Sequence, residues 1–315
     1  PELIEKWAKK DPVAAFRRKM QRKGHLSLDQ ITAIESGIQS EIEDAAEYAL
    51  AQPLVESTLE AEVADVFAPA PLLEAPSPAN GKSEELRFID AITEGLKDVM
   101  GADDKTLLMG QDIADYGGVF KVTKDFVNRF GASRVRNTPI IESGAVGAAM
   151  GLALGGYRPI LEIQYADFIS CGFNQIVNNL ATTHYRWGQP LPVTVRAPFG
   201  GHIGAGPFHS QSMEAWFCHV PGLKVVIPST PYDARGLLAA SVADPNPVLF
   251  FEHKALYRSL KGRAPDEAYT IPLGQARVAL QGTDLTIVTY GIGVHWALEE
   301  AAYQASRGRS IEVLD

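Results

Sequence analysis

The chain has 315 residues, room for about two domains at roughly 150 residues each, and its 46% hydrophobic and 21% charged residues exclude a wholly disordered, collagen-like or disulfide-scaffold protein. The 29 Lys and Arg against 38 Asp and Glu leave a net charge of −9, which argues against nucleic acid as the main partner, because neutralising phosphates needs basic residues in excess. Cys171 and Cys218 form no CxxC pair, which argues against a structural zinc site and fits a reducing cytosol, and the most apolar stretch, Ala145 to Gly156, is too short for a membrane span of roughly 20 residues.

Residues 1–66 carry helical punctuation. Ser27-Leu28-Asp29-Gln30 is a capping box, and Leu28, Ile31, Ile34, Ile38, Ile42 and Ala45 then recur at helical spacing. One stripe so narrow cannot form a core by itself, so the segment reads as an accessory helical piece. Over 67–83, Pro69, Pro71, Pro76 and Pro78 stand among Ala, Ser, Asn and Gly with no periodic face, which reads as a linker.

From Glu84 to about residue 262, helical and extended patterns alternate. Leu86 to Met100 predicts a helix, Thr106 to Gly110 and Arg134 to Ile140 predict strands, and Ala145 to Gly156 predicts a small-residue helix. Pro159 to Ile163, Val193 to Ala197, Leu223 to Pro228 and Val248 to Glu252 read as buried strands, with helices at Ser170–Arg186 and Tyr232–Ala243. Apolar runs alternating with helices indicate an α/β fold with a parallel sheet covered on both faces. Over 273–315, Asp284 to Tyr290 predicts a strand, followed by a helix to about Arg307 and a strand at Ser310–Leu314. Two strands are too few for a stable sheet, so this piece reads as the start of a truncated α/β domain.

In an open parallel sheet, ligands gather at the carboxyl ends of the strands. The candidates there are Gly110-Gln111-Asp112, Glu142-Ser143-Gly144, Tyr165 to Phe168, and the glycine-rich run from Gly200 to His209. Glu142 stands between Pro139-Ile140-Ile141 and the run Gly144 to Met150, where a carboxylate needs a special partner. The bland alternative is an exposed helix-start glutamate stabilised by the helix dipole. The glycine-rich run has no GxxxxGK[ST] or GxGxxG at a strand-to-helix start, so the usual phosphate cradle fails. The bland alternatives for His202 and His209 are surface-loop histidines, and for Phe168 a core position. The residues by themselves reach an α/β enzyme with a carboxylate and a loop histidine at the strand ends.

From Leu86 to Asp315 the sequence resembles the β subunit of thiamine-diphosphate-dependent 2-oxoacid dehydrogenases. Gly110-Gln111-Asp112-Ile113 with Gly117-Gly118-Val119-Phe120 is similar to the family's GEDV…GGVF, Asn137 to Gly144 to NTPIxExG, Glu162 to Phe168 to EIQFADY, and His209-Ser210-Gln211 with Pro221 to Val225 to HSQ…PGxKV. Phe250 to Arg258 is nearest the branched-chain and bacterial forms, and Gln111 stands where the family usually carries Glu. Asp11 to Phe16 and the helix after it resemble the C-terminal end of the α subunit, which implies an α–β fused parent chain joined at the linker. The implied fold is a transketolase-like pyrimidine-binding domain over 84–262, preceded by the α-helical tail and followed by the truncated C-terminal domain.

The resemblance also implies an activity: oxidative decarboxylation of a 2-oxoacid, branched-chain favoured, with acyl transfer to the lipoyl domain of a dihydrolipoyl acyltransferase. Glu142 matches the glutamate that hydrogen-bonds the cofactor's pyrimidine, Phe168 the aromatic ring stacked on it, Ile113 a further cofactor contact, and His209 the active-site histidine. The family holds the diphosphate and its Mg²⁺ through a GDG…N motif on an α-type domain. No Gly-Asp-Gly occurs here, so this chain is expected to carry one half-site and to be inactive without its α-type partner. A structural potassium ion is implied near Val193, Thr194, Ser241, Asp244 and Asn246, although Asp244-Pro245-Asn246-Pro247 reads equally as a turn. The implied assembly is a homo-oligomer of fused chains in the bacterial cytoplasm. Competing readings are a pyruvate- or acetoin-type component, a transketolase-like or deoxyxylulose-phosphate synthase domain, and a noncatalytic assembly module. A scaffold would need none of Glu142, Phe168 and His209.

Overall fold

The computed structural model describes residues 1–73 and 82–315; residues 74–81, part of the expected linker, lie outside the described residues. Compact packing divides the chain into Pro1–Thr58 and Leu59–Asp315.

The first unit is helical. Asp11 opens the helix Pro12–Arg22 by accepting from the Val13 amide at 2.9 Å, with proline at the first helical position, where its missing N–H costs nothing. Ser27 and Gln30 form the capping box reciprocally, at 3.1 and 2.8 Å, and open the helix Leu28–Ala51. Of the apolar stripe on that helix, Ile31 is buried, while Leu28, Ile34, Ile38 and Ile42 stay half-exposed.

Among the described residues, the second unit contains eleven strands. They are β1 Ser83–Arg87, β2 Thr106–Gly110, β3 Val135–Asn137, β4 Arg158–Glu162, β5 Thr194–Phe199, β6 Lys224–Val226, β7 Val248–His253, β8 Lys261–Pro265, β9 Val278–Leu280, β10 Leu285–Val288 and β11 Ile311–Leu314. The main sheet is six-stranded and parallel, in the order β3-β2-β4-β5-β7-β6. Side chains alternate between its faces, as the pleat requires. Leu107, Met109, Leu161, Val195, Leu249 and Phe251 pack on one face beneath the helix Glu142–Leu154. Leu108, Ile160, Val248 and Phe250 pack on the other, with the helix Phe88–Ala102. Both faces are buried, so the strands read as near-continuous apolar runs, which is what made them legible.

Three segments differ from the sequence-based expectation. Ser83–Arg87 is a strand paired antiparallel with β8, and the helix begins at Phe88 rather than Leu86. That ribbon is mostly exposed and polar, so no apolar pattern announces it. Residues 170–186 form a 3₁₀ turn Ala166–Gly172, a π turn Gln175–Leu180 and a short α-helix Thr183–Trp187 instead of one helix. Here the Thr182 and Thr183 hydroxyls bond back to the carbonyls of Asn178 and Asn179, competing with a regular ladder. In the C-terminal piece, β9 pairs antiparallel with β11, so the sheet there is three-stranded, in the order β10-β11-β9.

A charge network crosses the main sheet. Arg196 on β5 is fully buried and donates to Glu252 of β7 through Nε at 2.6 Å and Nη2 at 2.9 Å, and to Glu162 of β4 through Nη1 at 2.8 Å. Tyr257 adds its hydroxyl to Glu252 at 2.7 Å. Burial pushes the Glu162 carboxyl up, and Arg196 pulls it back. For Arg196, burial works against the charge, but Glu252 and Glu162 outweigh it. Replacing Arg196 with Leu would leave two buried carboxylates uncompensated. The expected loss is about 3–5 kcal/mol of stability, read as a lower midpoint in urea unfolding; an unchanged midpoint would contradict the network's role.

Candidate functional site

The strand next to β2 in sequence, β3, lies on one side of it, and β4 lies on the other. The chain leaves β2 toward β3 and leaves β4 toward β5, in opposite directions, and a crevice opens outside the carboxyl ends of β2 and β4. A Cβ at Gly110, the last residue of β2, would stand 2.7 Å from the Glu162 carbonyl oxygen, so only glycine lets these strand ends approach. Gln111 follows and donates through Nε2 to Glu142 Oε1 at 3.1 Å. Glu142 is buried and is the first residue of its helix. It sits at the positive end of the helix dipole, as the alternative reading has it, but it is buried and partnered rather than exposed. Across the crevice, Gln164 Nε2 donates to Asp112 Oδ2 at 3.1 Å and to the Gln111 carbonyl at 3.4 Å.

Beyond β4, half-buried Phe168 lies in the 3₁₀ turn Ala166–Gly172. That turn packs on the start of the Glu142 helix: a Cβ at Gly172 would lie 3.6 Å from the Glu142 carbonyl. His209 follows the glycine-rich run that leaves β5, and it is half-buried. Its ring meets Tyr165 edge-on at 4.5 Å between centroids and Phe168 at 5.5 Å. Asp167 Oδ1 accepts the amides of Ser210 and Gln211, at 3.0 and 3.1 Å. Glu142, Phe168 and His209 thus come from three separate returns to one edge of the sheet. Ile113 is placed differently, fully buried in the core beneath the crevice, with its carbonyl bound by the Thr123 hydroxyl at 2.7 Å. His202 is exposed on the loop with φ 85°. A carboxyl group, an aromatic face and an imidazole on one edge form a set suited to a planar nitrogen heterocycle with acid–base chemistry beside it.

The family description "Transketolase, pyrimidine binding domain" matches residues 84–259. Over 234 residues the chain is 46% identical to the 2-oxoisovalerate dehydrogenase subunit beta of Bacillus subtilis (strain 168), covering 73% of this chain and 71% of that one. Over 233 residues it is 44% identical to the pyruvate dehydrogenase E1 component subunit beta of the same organism, covering 73% and 72%. The chain belongs to the transketolase pyrimidine-binding family, among the 2-oxoacid dehydrogenase β subunits. A solved structure described as "Split gene transketolase, inactive beta4 tetramer" shares the fold, with a TM-score of 0.60 and 23% identity over 73% of this chain and 70% of that one.

In this β-type chain the five residues matched to a potassium site are buried and close together. The Thr194 hydroxyl donates to the Ser241 carbonyl at 3.2 Å, and the Ser241 hydroxyl to Leu237 at 2.7 Å. Val193 offers its carbonyl to the Val248 amide at 2.9 Å. Asp244 already accepts from Asn246 Nδ2 at 2.8 Å and holds the Lys224 ammonium at 2.5 Å. The Asn246 side chain in turn binds the backbone of Ala68 through both its amide and its carbonyl. Lys224 supplies the positive charge, so the set fits a further cation poorly. Among the described residues, no group of three or more His, Cys, Asp and Glu is placed to hold a metal, and no helix is long and apolar enough to cross a membrane.

Residues that sequence reasoning gave no role are Gln111, Tyr165, Asp167 and Lys254. Their signal is spatial, because each matters through a partner on another strand's loop. His253, the last residue of β7, supports the glycine-rich loop from below: a Cβ at Gly200 would stand 2.3 Å from its Nε2. Burial, then Lys254 and His202, push this imidazole down to about 4 from its ordinary 6.5. Between these values the unfolded chain binds a proton that the folded chain does not, so stability falls as pH drops through the window. His253→Gln is expected to flatten the decline in thermal unfolding temperature between about pH 6.5 and 5; a variant curve as steep as the parent's would contradict the assignment.

Proposed function

We propose that this chain forms the pyrimidine half of a thiamine-diphosphate site in the decarboxylating, lipoamide-dependent first component of a 2-oxoacid dehydrogenase, with a branched-chain 2-oxoacid as substrate. The observation that carries this reading is the Glu142 carboxyl, bound to Gln111 at the switch point of the sheet and on the same edge as Phe168 and His209. The residues present fit the cofactor: a carboxyl for the pyrimidine ring nitrogen, an aromatic ring for its face, and an imidazole at the rim. When bound, thiamine diphosphate supplies the electron sink that lets a 2-oxoacid lose carbon dioxide.

The chain's own residues do the rest. Glu142 holds a proton at the pyrimidine nitrogen, and Gln111 fixes the orientation of its carboxyl group. Phe168 and Tyr165 wall the site and exclude water. His209 moves a proton as the acyl group passes to a lipoyl thiol, where the departing thiolate needs one. An α-type domain holds the diphosphate and Mg²⁺, and a dihydrolipoyl acyltransferase brings the lipoyl arm. The working assembly is a homo-oligomer of fused chains in the bacterial cytoplasm. The open space above Gly147 and Gly151 suits close approach of a neighbouring helix. The 46% identical relative supports the branched-chain substrate, and the 44% identical one keeps pyruvate as the second reading.

In the full assembly, Glu142→Gln is expected to keep the fold and lower decarboxylation by about 100-fold or more, because the amide retains the shape and lacks the acidic proton. The check pairs circular dichroism with carbon dioxide release. Near-normal release would remove Glu142 from the mechanism.

A further inference from the structure

The loop that carries His209 is anchored by Asp167, a residue that the proposed chemistry does not use. The Gly200 amide donates to the Gln211 carbonyl at 2.9 Å and closes the loop at its base. Asp167 Oδ1 takes the amides of Ser210 and Gln211, the two residues immediately after His209. Asp167 Oδ2 and Lys254 Nζ are both buried without a hydrogen-bond partner among the described residues. Lys254 is only 3% exposed and Asp167 only 7%. Its ammonium lies 5.7 Å from the Tyr165 ring centroid, and that ring packs on His209. Two such groups in a buried site cost free energy unless each compensates the other. No ion pair within 4 Å joins them among the described residues, so any compensation acts through space: burial pulls the Lys254 ammonium down to about 8, and the Asp167 charge pulls the other way. The groups facing Lys254 are Asp167, Tyr165 and His253.

We propose that Asp167 and Lys254 act as a charge pair that positions His209, Asp167 gripping the two amides after the histidine and Lys254 compensating the Asp167 charge. Neither residue touches substrate or cofactor in this account, so both are positioning residues. With the ammonium gone, the buried carboxylate draws in water, and the Ser210 and Gln211 amides exchange their grip for solvent. The imidazole then loses its fixed place against Tyr165 and Phe168. The inference rests on the reading of His209 as the acyl-transfer group, and its test separates the two.

The test is amide hydrogen exchange at Ser210 and Gln211 in the whole chain, compared with core amides of β5. Asp167→Asn keeps an acceptor oxygen and removes the charge, and Lys254→Met removes the ammonium. Each is expected to speed exchange at the two amides about tenfold, the scale of one charge-assisted hydrogen bond. The double variant is expected to be no faster than the faster single variant, because a pair acts once. In the unmodified chain, protection of these amides, corrected for intrinsic rate, is expected to fall as pH rises through about 8. Unchanged exchange in both single variants, additive effects in the double variant, or flat protection from about pH 7 to 9 would each overturn the pair. The pH series needs no variant, so it decides even where a substitution impairs folding. In the assembled enzyme, both single variants and His209→Ala are expected to slow lipoyl acylation more than decarboxylation followed with an artificial acceptor. Equal losses for His209→Ala would reject the acyl-transfer reading, while the exchange data would still decide the pairing.

Discussion

The structure depends on one buried cation. Arg196 lies in the middle of the main sheet and binds Glu162 on one neighbouring strand and Glu252 on the other. A guanidinium placed there carries the cost of burial only because Glu252 meets it with fork geometry and Glu162 takes a third N–H. The consequence is positional. The strands it ties, β4, β5 and β7, are those whose carboxyl ends release the Phe168 turn, the His209 loop and Lys254. Fixing these strand ends fixes where the Phe168 turn, the His209 loop and Lys254 begin.

An aromatic chain carries that order upward. Tyr257 binds Glu252 through its hydroxyl and meets Phe120 at 5.0 Å, Phe120 meets Tyr165 at 5.6 Å, and Tyr165 meets His209 at 4.5 Å. Edge-on contacts of this kind resist sliding, because each ring edge seeks its neighbour's face. The candidate site is thus a set of short loops held from below by charge and from the side by packed rings, and its precision comes from rigid elements beneath it. Glu142 is held independently, by its helix start and by Gln111 at the end of the neighbouring strand β2.

Much of this was legible in the sequence, for identifiable reasons. Strands such as Thr106–Gly110 and Val248–His253 are buried on both faces and read as near-continuous apolar runs. The ribbon of β1 with β8 was not legible, because its partners are polar and far apart in sequence. The strand β9 was hidden for a related reason, since its three residues gain meaning only from pairing with β11. In the site, Glu142 stood out as a carboxylate between apolar runs at a strand end. The roles given to Phe168 and His209 came from the family resemblance rather than from spacing. Asp167 and Lys254 each lie inside a segment that carries the resemblance, Glu162 to Phe168 and Phe250 to Arg258, but nothing in their spacing relates the one to the other.

The central claim is that the edge built from Gln111, Glu142 and Phe168 receives the pyrimidine of thiamine diphosphate. The most direct measurement is hydrogen exchange on this chain assembled with its α-type partner, before and after addition of thiamine diphosphate and Mg²⁺. The account predicts new protection at Gln111, at the start of the Glu142 helix and in the Ala166–Gly172 turn. Cofactor binding in the assembly with no change in exchange at those three places would contradict it.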